Sequence, residues 1–328
     1  MDIAYYYPDD VKRNINEDNS ITYILSNNTG EGFVKQYNVF SGIEIFYHSM
    51  HLEKYDYDKI PIKDTIEINF CTEGRIESEL NDGKYIYIGK SDLSIFELSH
   101  EAINSTFPLN HYHGISILIN IPKANISLNN IAKSMDLTSI DLYEIRDNLK
   151  NDNSQIRLII RNAKEINHIF EELNSAPKEL LEYYFKLKVL EIILFLSKID
   201  GKSIFDTPKY YYKNQVSTIK NIKEFLTENI SKNYTIKELS SIFNISESSL
   251  KECFKDVYGT TIYSFTRSYR MDLAAKLLST TNDTILDIAL KSGYKSPGKF
   301  SSSFKTEFNL LPSDYRKIKK QNNQKQTY

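Results

Sequence analysis

The spacing of apolar residues changes along the chain. From about residue 41 to residue 121, apolar and polar positions alternate with a period of two, so that Ile66, Ile68 and Phe70 share one face of a strand. After Pro122 the apolar residues recur every three or four positions, as in a helix. Short alternating strands without helices between them favour an antiparallel barrel or sandwich. The pattern therefore predicts an α+β protein, with strands first and helices after them.

The strand region contains a predicted hairpin. Strands over 75–80 and 84–89 flank the sequence Asn81-Asp82-Gly83, which is typical of a tight turn. Residues 1–40 show no sustained period, and we assign no elements to them. Further strands are expected over 42–47, 93–98 and 114–121.

Two stretches before the last third of the chain have helical spacing. One comprises Ile156, Ile159, Ala163, Ile166, Phe170 and Leu173, and the other comprises Tyr183, Leu187, Leu190 and Leu194. They predict an antiparallel pair of amphipathic helices. Its apolar stripe is either buried within the chain or paired with a second copy, and the sequence leaves both open. Residues 201–214, with Gly201, Pro208 and three consecutive tyrosines, are expected to form a linker.

Length and composition restrict the possible classes of protein. The chain has 328 residues, enough for about two domains, and its 41% apolar and 26% charged residues exclude a wholly disordered protein. The sequence contains no apolar run of about 18 residues and does not begin with a basic and then apolar segment, so we expect a cytoplasmic protein without a membrane partner. Cys71 and Cys253 are far apart, which excludes a disulfide framework.

The formal charge of −2 conceals two unequal parts. Residues 215–328 contain 18 Lys and Arg against 11 Asp and Glu, a net charge of +7, which leaves −9 for the rest. A basic module indicates a polyanionic partner. We therefore divide the chain into a cupin-like antiparallel β-barrel (1–125), a helical dimerisation segment (126–200), the linker (201–214) and a basic all-α domain (215–328).

The basic domain contains an internal repeat. Thr235 to Ser240 align with Thr284 to Ala289 at an offset of 49, and in each copy a capping Thr is followed three residues later by an acid, Glu238 or Asp287. At the same offset Asn244 matches Gly293, and both residue types tolerate a positive φ in a tight turn. Each copy thus begins with a capped helix that ends in a tight turn.

A second helix follows each turn, now at an offset of 50. Ser246, Leu250, Phe254 and Lys255 match Ser296, Phe300, Phe304 and Lys305, and Pro297 suits a first helical turn. Each copy is therefore a predicted helix-turn-helix. Residues 262–279 between the copies predict one helix about 27 Å long, which would hold the two second helices roughly one DNA turn apart. A single chain would then enter two successive major grooves.

Residues 215–317 resemble the double helix-turn-helix DNA-binding domain of the AraC/XylS transcription regulators. The resemblance rests on Ile285, Ile288, Ala289, Gly293, Tyr294, Ser296, Phe300, Phe304, Lys305, Pro312, Tyr315 and Arg316. It implies a sequence-specific regulator, usually a bacterial activator, with double-stranded DNA, RNA polymerase and an unidentified small-molecule effector as partners. Asn309 stands where the family usually has a glycine, and it tolerates the same left-handed conformation.

The resemblance also implies which residues contact DNA. The groove-facing positions are Ser248, Lys251 and Glu252 in the first copy and Pro297, Gly298 and Ser302 in the second, with Ser246, Ser249 and Ser296 beside them. A lysine can donate to a guanine and a glutamate can accept from a cytosine. The small residues of the second copy offer few such contacts with bases, so we expect that copy to recognise the shape of the DNA. Expected phosphate contacts are Lys237, Lys255, Arg267, Arg270, Lys295, Lys299 and Lys305; the alternative for each lysine is a solvated helix face. By their spacing, Phe254, Phe300, Phe304 and Tyr315 are expected in the core.

The amino-terminal half is expected to carry a sensor. Its stretch from Glu67 to Glu77 is similar to the sensor region of a subgroup of these regulators that includes siderophore-responsive members. The resemblance and the alternation together suggest a ligand site, and the alternative is a solvent-facing hairpin. The candidate ligand-binding residues are Asn69, Arg75, Glu77, Tyr85 and Tyr87.

All six histidines also lie in this half. His111 and His113 share one face of a strand, as in metal-dependent cupin barrels, but Gly114 to Ile121 lack the downstream carboxylate that those barrels use. No nucleophile constellation or phosphate-binding glycine loop accompanies them. We therefore expect no metal, no cofactor and no enzymatic activity. The alternative function is a metal-dependent cupin enzyme with an accessory basic helical domain.

Overall fold

The computed structural model describes residues 11–55, 62–80, 82–98, 102–201 and 209–325. The chain forms two compact units, Met1–Lys213 and Asn214–Tyr328. Within the described residues the first unit combines an antiparallel sheet with helices, and the second is helical. None of the described helices has the length and apolar content needed to span a membrane.

The strands of the first unit pair antiparallel throughout. They are β1 (Lys12–Ile15), β2 (Ile21–Asn27), β3 (Gly30–Phe40), β4 (Ile43–His51), β5 (Thr65–Leu80), β6 (Lys84–Gly89), β7 (Leu93–Glu97), β8 (Ala102–Thr106), β9 (Tyr112–Asn120), β10 (Arg157–Ile160) and β11 (Tyr211–Tyr212). The hydrogen-bonded path runs β1-β2-β3-β4-β9-β5-β6-β11 and does not return to its start. Among the described residues the sheet is therefore open.

Strand β5 organises this sheet. The sequence predicted two separate strands here, one around Ile66 to Phe70 and one over 75–80, but the structure has a single strand of 16 residues. This strand carries a bulge between Cys71 and Glu73, and the φ angle of Gly74 is +77°. The strand pairs with β7 up to Phe70 and with β9 up to Gly74, and its remaining residues pair with β6 and β8. The predicted hairpin with β6 is confirmed, with Arg75 opposite Gly89, although Asn81 of its turn lies outside the described residues.

The helices of the first unit are α1 (Ile121–Ser134), α2 (Leu142–Asn148), α3 (Lys164–Ser175) and α4 (Leu181–Leu196). The predicted helix from Ile156 is wrong in its first part, because residues 157–160 form β10 beside β7. Leu158 and Ile159 are adjacent in sequence, yet they are buried in different apolar clusters. Successive side chains of a strand point to opposite faces, whereas a helix with one apolar stripe would bury its apolar residues on one side. The later positions Ile166, Phe170 and Leu173 lie in the helix α3, as predicted, and they are buried within the chain.

Both faces of the sheet are covered. On one face Ile66, Ile68 and Phe70 pack with the helices, and the rings of Phe70 and Phe170 stack with centroids 4.3 Å apart. The other face holds a second cluster that includes Phe46, Tyr112 and Leu118. The polar positions of β5 therefore face a covered interior, where Asn69 and Glu77 are buried.

The second unit contains α5 (Lys213–Glu228), α6 (Ile236–Phe243), α7 (Glu247–Tyr258), α8 (Ile262–Thr280), α9 (Ile285–Lys291), α10 (Pro297–Phe308) and α11 (Pro312–Lys325). Helix α8 confirms the predicted continuous helix, and its 19 residues span about 28 Å. Its residues Met271, Ala274 and Leu278 enter a core with Phe300 and Phe304. Because α7, α9, α10 and α11 also contact α8, this helix is the common support of the unit.

Candidate nucleic-acid interface

The second unit contains two helix-turn-helix motifs. The first motif comprises residues 235–258 (α6 and α7), and the second motif comprises residues 284–308 (α9 and α10). In the first, Glu238 N donates to Thr235 Oγ1 at 3.2 Å, and Thr235 N donates to Glu238 Oε2 at 2.7 Å. The corresponding distances between Thr284 and Asp287 are 3.1 and 3.3 Å. Both predicted capping boxes are confirmed, including the one with the shorter aspartate.

The turns of the two motifs also agree. Asn244 has φ +49° and Gly293 has φ +79°, so both residues occupy the left-handed region that the sequence predicted. Each following helix is capped by a serine, as Ser249 N donates to Ser246 Oγ and Lys299 N donates to Ser296 Oγ. These caps and turns fix how α7 and α10 leave their motifs.

The duplication extends beyond the aligned residues. Phe254 and Phe265 meet edge to face with ring centroids 5.5 Å apart, and Phe304 and Tyr315, each 50 positions later, do so at 5.3 Å. A third ring completes each cluster, Tyr258 at 4.8 Å from Phe254 and Phe308 at 4.6 Å from Phe304. Sequence reasoning found only part of these clusters, although continuing the offset of 50 would have found all of them.

The α7 helix presents its predicted groove-facing residues outward. Ser248, Lys251 and Glu252 are exposed. Lys251 Nζ lies 3.8 Å from a Glu247 carboxylate oxygen, and such an exposed pair contributes little. Lys251 is therefore free to exchange this contact for one with a base.

The α10 helix presents small residues at its own predicted positions. Pro297, Gly298 and Ser302 are exposed. A Cβ added at Gly298 would meet no atom closer than Ser296 Oγ at 4.0 Å, so the space outside it is open. Ser246 and Ser249 take part in the cap of α7, and Ser296 caps α10. The outer surface of α10 near its start is therefore formed by Pro297, Gly298 and Ser302.

A cleft of about 840 Å³ lies between the two motifs. Its lining includes five cationic side chains and no carboxylate among the residues described. They are Lys232, Arg267, Arg270, Lys295 and Lys299. Arg267 Nε is buried there without a hydrogen-bond partner in the described part of the chain. The cleft is thus an electropositive surface suited to phosphate groups.

Arg270 requires a correction among the expected phosphate contacts. It is only 8% exposed, and its guanidinium donates to the carbonyl oxygens of Ile230 and Lys232 and to Asn233 Oδ1. A guanidinium whose donors are so occupied has an internal role. The side chains of Lys237, Lys255, Lys295, Lys299 and Lys305 are exposed, and their phosphate contacts stay predictions.

The candidate ligand residues of the first unit are bonded to one another or to neighbours. Glu77 is 2% exposed and accepts hydrogen bonds from the Tyr87 hydroxyl at 2.6 Å and from Thr106 Oγ1 at 2.8 Å. Asn69 Oδ1 accepts one from the buried Tyr112 hydroxyl at 2.6 Å. These three candidates therefore lie inside the unit instead of on a solvent-facing hairpin. Tyr85 is buried and Arg75 is half-buried. Sequence reasoning missed Thr106 and Tyr112, because their pairing depends on strands far apart in the chain.

The histidines do not form a metal site in the described residues. The His113 ring lies 4.9 Å from that of His51 and 6.4 Å from that of His111, and burial lowers the pKa of His113. Across the described ranges, no group of three or more His, Cys, Asp or Glu is placed to hold a metal ion. His100 lies outside these ranges.

The comparisons with known proteins concern mainly the second unit. Residues 239–318 match the family described as a helix-turn-helix domain. Regulatory protein SoxS of Salmonella typhimurium is 36% identical over 98 residues, 30% of this chain and 92% of that protein. The HTH-type transcriptional activator RhaR of Mannheimia succiniciproducens is 25% identical over 146 residues, 44% of this chain and 49% of that protein.

A solved structure is also similar. The C-terminal domain of AraT, a response regulator from Geobacillus stearothermophilus, is 25% identical and covers 31% of this chain and 84% of that chain, with a TM-score of 0.30. The chain spans about a third to just over half of the length of the first curated relatives it matches. These relatives are named as regulators, so they give the enzyme alternative no support.

Proposed function

Because this chain belongs to the AraC/XylS family of transcriptional regulators, we propose that its second unit binds two successive major grooves of double-stranded DNA and thereby regulates nearby promoters. The observation that carries the proposal is the duplication of caps, turns and aromatic clusters around one supporting helix. Two equivalent scaffolds hold α7 and α10, whose predicted groove positions are exposed.

The two motifs read DNA differently in this proposal. In the first motif Lys251 donates to the O6 and N7 atoms of a guanine, and Glu252 accepts from a cytosine amino group. In the second motif Pro297, Gly298 and Ser302 offer few donors, so α10 approaches closely and responds to the shape of the groove. Specificity then comes mainly from the first motif, and the second adds affinity and spacing.

Phosphate neutralisation supplies the sequence-independent part of binding. Lys232, Arg267, Lys295 and Lys299 line the cleft between the motifs, where the DNA backbone would pass from one groove to the next. Lys237, Lys255 and Lys305 would contact phosphates outside it. The absence of carboxylates from the described cleft lining supports this path for the backbone.

Selection of duplexes from a random library by the purified full chain tests the proposal. We expect an enriched element with two conserved blocks about ten base pairs apart, protected from cleavage on one face of the duplex. Binding that is equal on all sequences, or protection limited to one groove, would contradict it.

The first unit is proposed to sense a small-molecule effector through a cupin-like, open antiparallel sheet whose strands β1 to β9 lie within residues 1–125. Its support is the covered interior that holds Asn69, Glu77 and Tyr87. Effector binding would change how residues 126–200 and the linker 201–214 present the DNA-binding domain, 215–328, to its sites and to RNA polymerase. Activation, the similarity to the siderophore-responsive subgroup and cytoplasmic localisation belong to the same proposal.

Dimerisation is proposed through the outer face of α4. Its residues Phe185, Val189 and Ile192 are buried, whereas Tyr183, Leu187 and Leu194 are 67%, 64% and 55% exposed. Three of the four positions of the predicted stripe are therefore exposed, and the fourth, Leu190, is partly buried against the core. The exposed part of the stripe is available to a second copy.

A second copy of α4 fits this stripe in an antiparallel arrangement. The two helices would cross at the point between residues 188 and 189 of each copy. Tyr183 of one copy then faces Leu194 of the other, and Leu187 faces Leu190. Lys186 lies opposite Glu191. In sedimentation experiments Leu187→Glu should shift the full chain towards monomer. Met135→Glu, at an exposed apolar residue beside α1, should not. Equal sedimentation of all three proteins would contradict this interface.

A further inference from the structure

Arg270 lies where three segments of the second unit meet. It belongs to α8, and its partners Ile230, Lys232 and Asn233 directly precede the first motif, whose cap is Thr235. Nε and Nη2 donate to Ile230 O at 3.0 and 2.8 Å, Nη2 also donates to Lys232 O at 2.7 Å, and Nη1 donates to Asn233 Oδ1 at 2.7 Å. The guanidinium thus ties the entrance of the first motif to the supporting helix.

The turn of the second motif lies against the same group. A Cβ added at Gly293 would be 2.7 Å from Ile230 O and 2.9 Å from Arg270 Cζ and Nε. Glycine is required here both by this close approach and by its φ of +79°. Gly293 is also the turn residue that directs α10. One buried cation therefore touches the entrance of the first motif and the turn of the second.

The chemistry of arginine suits this junction. A guanidinium is planar and carries five N–H donors, so it can hold several carbonyl oxygens in a fixed arrangement. The acceptors follow the end of α5, where carbonyl groups lack helical partners and favour a cation. A lysine would keep the charge, but its single nitrogen could not span the same acceptors.

We infer that Arg270 is a positioning residue that fixes the second motif relative to the first and thereby sets the spacing between the two DNA elements the protein recognises. The inference rests on the proposed function for its consequence in DNA binding. Its structural part, a fixed geometry between α7 and α10, holds whether or not DNA is the partner.

The first experiment measures that geometry without DNA. Spin labels are placed in the full chain by Ser248→Cys and Ser302→Cys, at exposed positions on α7 and α10, while the native Cys71 and Cys253 are fully buried. We expect a narrow distance distribution that Arg270→Gln and Arg270→Lys both broaden or shift. Arg267→Gln is the matched control on the same helix and should leave the distribution unchanged.

The second experiment measures spacing selectivity. Duplexes enriched by the full chain are altered by inserting or deleting one base pair between their two blocks. Rigidly linked motifs can favour the correct spacing by about 100-fold, and we expect Arg270→Gln to reduce that preference by about tenfold or more. Arg267→Gln, which removes a phosphate contact, should weaken binding to every spacing by the same factor.

The outcomes separate the alternatives. An unchanged label distance with equal losses at every spacing would overturn the inference, and so would full rescue by Arg270→Lys, since charge alone would then suffice. If Arg270→Gln does not fold, Gly293→Ala tests the same junction by forcing a Cβ against the guanidinium, and it should also alter the label distance. Failure to enrich any duplex would count against the proposed function, whereas the DNA-free distances would still test Arg270.

Discussion

The two helix-turn-helix motifs share a scaffold and differ in what they present. Both begin with a capping box, turn through a left-handed residue and pack three aromatic rings at matching positions. On the outer surface, however, Lys251 and Glu252 of α7 correspond to Ser301 and Ser302 of α10. The residues that make the fold are retained between the copies, and those that would read DNA are not.

This difference makes each motif a control for the other. A substitution in the shared scaffold should have the same effect in both motifs, whereas one on the outer face should matter in only one. Fold and recognition are therefore separable here, residue by residue.

The largest expected effect is on the scaffold. Phe254→Ala and Phe304→Ala each remove a fully buried ring and should each lower the free energy of unfolding by about 3–5 kcal/mol. Hydrogen exchange of the full chain, followed in peptides from the second unit, would measure both. A clear inequality between the two losses would show that the aromatic clusters are not equivalent supports.

The next effect should distinguish the outer faces. Lys251→Ala should weaken binding to the selected duplex by about 1–3 kcal/mol, because it removes a donor to a base edge. Ser301→Ala, at the matching position of α10, is the control and should change binding much less. The measurement is a titration on selected and on random duplexes. Equal losses on both would make Lys251 a phosphate contact.

The sequence predicted the features that depend on nearby residues. The capping boxes, the turns at Asn244 and Gly293 and the left-handed Asn309 (φ +56°) each follow from a few consecutive side chains. Arg270 was misassigned because its burial depends on carbonyl oxygens some 40 positions away, which leave no mark in the local pattern. For the same reason the sequence left open whether Glu77 belongs to a ligand site or to a solvent-facing hairpin, since alternation shows which residues share a face but not what covers that face.

The caps should show a smaller effect, equal in the two motifs in neutral solution and dependent on pH in the first. Thr235→Ala and Thr284→Ala should each lower the free energy of unfolding by about 1 kcal/mol. Hydrogen exchange in α6 and α9 would measure these losses. Hydrogen bonds from Thr235 hold the pKa of Glu238 below its ordinary value of 4.5. Its stabilising contribution is therefore complete above that value and is lost as the pH falls through the lowered pKa. Glu238→Gln should abolish this acid dependence; if the dependence persists in the variant, another group causes it.

The smallest expected effect concerns Gly298, where stability and binding should change in opposite directions. Alanine at this helical position meets open space and should raise the free energy of unfolding by about 0.5–1 kcal/mol, because glycine is a poor helix former. The same methyl group would stand between α10 and DNA, so affinity for the selected duplex should fall although the protein is more stable. Ser248→Ala, at the matching position of α7, removes an atom instead of adding one and should not hinder approach. A more stable Gly298→Ala protein with unchanged affinity would mean that the start of α10 does not approach the duplex closely, and that the two motifs differ in whether they enter a groove as well as in what they read there.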